Sequence, residues 1–154
     1  MSSKVFRTAF IAVLAGIALN LPVMADAHAD ERVLVDLPGP TQDHMLGNMR
    51  DHLHALDDIL SALAEGNITQ AGTVAEARLG MSSLDDHGAA HLAQFMPQGM
   101  RALGTEMHHA ASRFIQAAQN ADITHTFESQ QAVFEALQGI TAACNACHDG
   151  YRIR

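Results

Sequence analysis

Apolar residues in this chain recur at three- and four-residue steps through four long segments, and none of those segments shows the period-two alternation of a half-buried strand. That pattern commits the chain to helices. In the first segment Met45, Met49, Leu53, Leu56, Leu60 and Leu63 form one stripe, and Gly66-Asn67 supplies a stop, which predicts a helix over about 41–65. Thr69 is a cap for a second helix carrying Ala71, Val74, Ala75, Arg78 and Leu79. Gly80-Met81-Ser82-Ser83 then predicts a break before a further helical stretch from Leu84 to Phe95. Pro97 suits the start of a third helix, because its missing N–H leaves nothing unsatisfied there; Met100, Leu103, Met107, Ala111, Phe114, Ile115 and Ala118 follow as a stripe, and Asn120-Ala121-Asp122 ends it. From Thr126 a last helix carries Phe127, Phe134, Leu137, Ile140, Cys144, His148 and Tyr151 at helical spacing. The expected fold class is all-α: an antiparallel four-helix bundle around a single core.

The region before that fold divides in two. Lys4 and Arg7 open a basic start, an apolar run extends from Ala9 to Leu21, and Val23-Met24-Ala25 reads as a small-residue cleavage site, so residues 1–25 are expected to be a secretory signal peptide. The apolar run is shorter than the roughly 20 residues that a membrane-spanning helix needs, so no stable membrane anchor is expected. Residues 26–40 lead to Pro38-Gly39-Pro40 and read as a flexible N-terminal arm, which leaves 41–154 as the folded domain. The expected compartment is the periplasm. All 17 acidic residues follow Ala25, so loss of the leader with Lys4 and Arg7 takes the formal charge from −8 to about −10. Such a balance excludes a basic nucleic-acid surface and favours encounters with a basic protein partner.

The only two cysteines of the chain stand three apart, in Cys144-Asn145-Ala146-Cys147-His148, which excludes a framework of disulfides between distant loops. A C-x-x-C-H run is the attachment motif of c-type haem: each thiol adds to a vinyl group and the adjacent imidazole meets the iron. On a helix Cys144, Cys147 and His148 stand at i, i+3 and i+4 and share a face, with Tyr151 one turn further on. The other readings of a C-x-x-C pair are a thioredoxin-like redox motif, which expects a βαβ context, and half of a zinc site, which needs further ligands. Neither context is evident in the sequence. The expected cofactor is therefore a single haem c, covalent through Cys144 and Cys147.

The run Thr141-Ala142-Ala143-Cys144-Asn145-Ala146-Cys147-His148-Asp149-Gly150-Tyr151-Arg152, closing a long helix, resembles the C-terminal helix of cytochrome c′ and its low-spin relatives. The resemblance covers 41–154 by helix pattern and length, and by matching motif only in the last helix. It implies a four-helix bundle with haem near the C-terminal end of that helix, His148 as proximal ligand and Arg152 beside the propionates. It also implies that a first-helix residue meets the opposite haem face. Here Met49 is the preferred candidate for a sixth iron ligand and Met45 the alternative, with His52 also on that helix; both Met residues equally suit a role as core filler. The family's usual Arg four residues before the axial position is absent, since 41 is Thr and 45 is Met; Arg50 is a candidate to pair with a propionate instead. A homodimer through the first two helices is a further implication.

Ten His and eight Met leave room for other chemistry. His87 and His91, at i and i+4, can present two nitrogens to Zn or Cu from one face, and Met96, Met100 and Met107 with His108 and His109 can extend a soft copper site, although Met at such spacing is more often core. His52 and His54 cannot share a helix face, and His44 and His125 belong to no constellation. No Ser-His-acid arrangement and no phosphate-cradling glycine motif can be assigned, so enzymatic readings have no support. The sequence thus leads to a non-enzymatic, periplasmic one-electron carrier whose partners are redox proteins. The alternatives are a five-coordinate haem protein binding nitric oxide or carbon monoxide, and a periplasmic copper-handling protein.

Overall fold

The computed structural model describes residues 30–154; the expected signal peptide and the start of the arm lie outside the described residues. The described residues are all-α apart from one short strand pair. In order come β1 (Val33–Leu34), α1 (Gly39–Ala64), α2 (Ile68–Leu79), a single 3-10 turn (Met81–Ser83), α3 (Ala89–Leu92), α4 (Gln98–Thr124), α5 (Phe127–Gly150) and β2 (Tyr151–Arg152). No helix among the described residues is long and apolar enough to cross a membrane.

The helix ends follow local chemistry. α1 starts after Pro38, with a Pro in its first turn, and stops where Gly66 takes a left-handed φ of +77°. α2 begins two residues earlier than expected because Asn67, not Thr69, is its cap: the Asn67 side chain accepts from the Gln70 N–H at 3.2 Å. α4 runs past Asn120-Ala121-Asp122, since Ala121 is fully buried and the turn is closed only at His125, which adopts the left-handed conformation at φ 51°. α5 opens on a capping box in which Thr126 accepts from the Ser129 N–H at 3.1 Å and Ser129 accepts from the Thr126 N–H at 3.2 Å.

The helices pack in series, α1 on α2, α2 on α4 and α4 on α5. Small residues make this possible: Ala55, Ala62, Ala71, Ala75, Ala110 and Ala111 are buried in one cluster around Phe114, Ile59, Leu79 and Ile140. At Gly72 a Cβ would lie 3.0 Å from the Ala118 Cβ and 3.2 Å from Ile115, so α2 rests against α4 with no space for a side chain. A salt bridge from Arg78 to Asp51 and Asp58, each at 2.5 Å, ties α2 to α1 along the outside.

Three expectations need correction. The stripe assigned to the α1 core is rotated: Leu53 and Leu60 are 68% and 52% exposed, while Ala55, Ile59 and Ala62 face inward, because the close approach to α2 selects the small side chains. The stretch from Leu84 to Phe95 is not one helix. Gly88 is left-handed at φ 62°, and the His87 carbonyl accepts from Asn48 Nδ2 and His44 Nε2, both at 2.9 Å, instead of from a continuing helix. Finally, the arm assigned to 26–40 is built into the domain from Val33 onward. β1 pairs in parallel with β2, Val33 beside Tyr151 and Leu34 beside Arg152; the Val35 N–H donates to the Arg152 carbonyl at 2.8 Å, and Val35 and Leu37 are buried. Two-residue strands carry no readable periodicity, so only the long-range pairing reveals them.

Candidate haem cavity

A cavity of about 490 Å³ opens between α1, the irregular stretch 84–96, α4 and the end of α5. The C-x-x-C-H motif forms part of its wall: Cys144, Cys147 and His148, on the last two turns of α5, all line it. Both cysteines are free, half-buried thiols, and burial pushes the pKa of each above the usual thiol value. They are therefore neutral at pH 7. Cys144 packs against the main core and Cys147 against a second cluster made of Val35, Leu37, Met45, Leu92 and Met100, so the motif sits where the two meet.

Long-range contacts hold this end of α5 in place. Arg32 Nη1 donates to the His148 carbonyl at 3.3 Å, Gln42 Nε2 donates to the Ile153 carbonyl, and the β1–β2 pair fixes the residues that follow the helix. The Tyr151 hydroxyl lies so close to Gly99 that a Cβ there would fall 2.3 Å from it, which seats the C-terminal strand on the first turn of α4.

To the cavity wall α1 contributes Met45, Met49 and His52. Met45 is 5% exposed within the second cluster and Met49 is half-buried beside it. Met96 and Met100 add two further thioethers. Arg152 lines the cavity, as do Arg32 and Arg101, which the sequence reading missed for want of any motif; Arg50 is exposed and does not line it. A haem propionate partner would thus be sought at Arg152, Arg32 or Arg101. The residues fit the group on physical grounds: two free thiols and an imidazole on one helical face, an apolar hollow within the roughly 300–1,000 Å³ of small-molecule sites, and cations on its wall.

The candidate pair of His87 and His91 is not brought together on one helical face, since Gly88 breaks the helix between them. His91 is exposed with its ring 5.4 Å from Phe95, whereas His87 is buried. Instead His87 stands with His52 and His108, at ring-centroid separations of 4.8 Å (His52–His87), 5.4 Å (His87–His108) and 6.2 Å (His52–His108). Burial pushes all three below the ordinary imidazole pKa; His52, further disfavoured by His87 and His108, falls to about 4. His54 and His109, the sequence neighbours of His52 and His108, are exposed. No sequence signal groups these three, because they come from α1, the 84–88 turn and α4.

No family model, no curated protein and no solved structure matches this chain. What the site does is argued from its own residues.

Proposed function

We propose that this protein is an exported, periplasmic mono-haem c-type cytochrome that carries single electrons between redox proteins. The observation that carries the reading is the meeting of Cys144, Cys147 and His148 with Met45 and Met49 on the walls of one cavity. The four long helices then form a four-helix bundle, with haem at the end where α5 terminates. The short connections at 65–67 and 125–126, which return each helix alongside its predecessor, support that organisation. When bound, haem supplies the ferric–ferrous couple.

The chain's own residues have distinct tasks in this reading. Cys144 and Cys147 would hold the ring through thioether bonds and His148 would be the iron's protein ligand, while β1 with β2 keeps the last turn of α5 from fraying. Met49 would be the preferred second iron ligand and Met45 the alternative, since Met49 lines the cavity while only partly buried and Met45 is buried within the cluster. Arg152 neutralises a propionate. The thioethers of Met45, Met49, Met96 and Met100 on the wall would give the ring apolar surroundings, which favour a raised potential. The acidic balance, a formal charge of about −10 once the leader with Lys4 and Arg7 is lost, suits a basic redox partner, and the exposed Leu53 and Leu60 on α1 offer a face for a second copy.

A second reading is favoured by the apolar residues Leu46 and Leu92 on the cavity wall: iron left five-coordinate there would bind nitric oxide or carbon monoxide. One experiment separates the readings. Protein matured with a c-type haem assembly system is examined by visible spectroscopy when oxidised, reduced, and reduced under carbon monoxide. Electron transfer predicts a low-spin spectrum with a thioether charge-transfer band and little response to the gas; gas binding predicts a high-spin spectrum that shifts. Cys144→Ala with Cys147→Ala should lose all haem that survives denaturation, and wild-type protein with no such haem would sink both readings.

A further inference from the structure

The cavity wall has the opposite charge balance to the chain that builds it. Residues 30–154 contain seven arginines, no lysine and sixteen Asp and Glu. Four of those arginines, Arg32, Arg101, Arg152 and Arg154, line the cavity, and not one of the acidic residues does. A guanidinium stays charged at every pH at which a protein is folded, and like charges set around a largely apolar hollow raise one another's energy until an anion joins them.

Most arginines of the domain are engaged within it. Arg78 bridges to Asp51 and Asp58, Arg113 pairs with Glu106 at 2.6 Å, Arg32 donates to the His148 carbonyl at 3.3 Å, and Arg152 has an interaction of its own. Arg101 differs. It lines the cavity from the start of α4, and its side chain makes no hydrogen bond or ion pair among the described residues. α4 also has no acidic residue in its first turn and no side-chain cap, so no side chain there offsets the guanidinium or the positive end of the helix dipole. Arg154 makes no such bond either, but it follows the last strand, whereas Arg101 is fixed in place by a helix. The remainder of the wall is mainly thioether and aliphatic, with Met45, Met96, Met100, Leu46 and Leu92. A small polar anion would leave those side chains uncovered, and a neutral apolar molecule would leave Arg101 unmatched.

We propose that the cavity takes an amphipathic carboxylate, an apolar body whose charged edge is bound by Arg101. Two sources share that chemistry. One is a haem propionate, in which case the inference rests on the haem reading and Arg101 holds the carboxylate that Arg152 does not. The other is the head of a free fatty acid, which needs no haem.

The test uses the full chain carrying Cys144→Ala and Cys147→Ala, so that occupants bind reversibly, and compares each acid with an uncharged counterpart. Haem is titrated against haem dimethyl ester by visible spectroscopy, and decanoate against decanol by calorimetry. In at least one pair the acid should bind about 10-fold more tightly, as a charge-assisted hydrogen bond requires, and the pair that shows it names the source. Arg101→Gln should bring the ratio near one and Arg101→Lys should keep most of it. Arg113→Gln, which removes an exposed arginine from the same helix, should leave it unchanged. A variant that folds poorly weakens both members of a pair and preserves their ratio, so a folding defect does not imitate the result. Equal binding of acid and neutral forms in both pairs, a ratio that survives Arg101→Gln, or no binding of any of the four probes would overturn the proposal. Covalent haem in matured wild-type protein, with acid and ester bound equally, would sink this inference alone. A decanoate preference lost in Arg101→Gln, in a chain that never acquires covalent haem, would sink the haem reading alone.

Discussion

The two ends of this molecule are packed by opposite rules. At one end Ala55, Ala62, Ala71, Ala75, Ala111 and Ala118 let the helices approach until Gly72 touches α4, and Phe114, Ile59 and Ile140 are fully buried with no accessible surface. At the other end the helices give way to a left-handed Gly88, a four-residue α3 and a strand pair, and the side chains are Met45, Met49, Met96 and Met100 around a 490 Å³ hollow. Small residues fix one geometry; thioethers conform to whatever they meet. The closed end is a scaffold, and the open end leaves a hollow lined by flexible side chains.

The largest effect that tests this contrast is a cavity mutation at each end. Phe114→Ala removes a ring that is 0% exposed and should cost about 3–5 kcal/mol in denaturant unfolding, by the same amount with and without haem. Met100→Ala should cost clearly less in haem-free protein, because its neighbours on the cavity side already lack contact partners, and more once haem is attached. Equal costs at the two ends in haem-free protein would dissolve the distinction.

How much of this was legible in the sequence differs between the ends in the same way. The closed end is governed by local signals: Gly66-Asn67, Pro97 and Thr126 mark helix ends within one or two residues of where they fall, and the Ala-rich segments carry a helical period. Even there the face was misjudged, since periodicity favours the large Leu53 and Leu60 over Ala55 and Ala62, and only the closeness of α2 decides between them. At the open end the motif Cys144-x-x-Cys147-His148 was legible because its chemistry lies in five consecutive residues. The histidine group and the β1–β2 pair were not, because each joins residues far apart in the chain: 56 positions separate His52 from His108, and 118 separate Val33 from Tyr151. His44 shows the same limit, having no sequence constellation yet holding the His87 carbonyl.

A second effect, next in size, belongs to the open end alone. His52 has its pKa lowered from 6.5 to about 4, so between those values the unfolded chain takes up a proton that the folded chain refuses. Stability is therefore complete above pH 6.5 and declines as pH falls toward 4, by about 3 kcal/mol for this group. His87 and His108, lowered in the same direction, add to the loss. Asp51, Asp86 and Glu76 nearby oppose it by favouring protonated imidazoles, whereas Arg78, His44 and His109 reinforce it. Urea unfolding at several pH values should give a slope through this window that His52→Leu reduces. A curve flat from pH 6.5 to 4 would mean that the open end is as wet as the surface.

The smallest effect compares the two ends of a single helix. The N-terminus of α5 depends on a self-contained device, the reciprocal Thr126–Ser129 bonds at 3.1 and 3.2 Å, whereas its C-terminus is held by Arg32 and β1, residues more than 100 positions away. A local cap is worth about 1 kcal/mol, so Thr126→Ala should lower unfolding stability by that amount. It should do so without altering the haem spectrum, because the change is confined to the scaffold end and the last turns of α5 are fixed by other contacts. Val35→Ala is the matched variant at the far end: it empties a buried position next to the Arg152 carbonyl and should disturb the spectrum together with stability. If Thr126→Ala shifted the spectrum as much as Val35→Ala, α5 would be transmitting strain along its whole length, and the two ends would have to be treated as one mechanical unit.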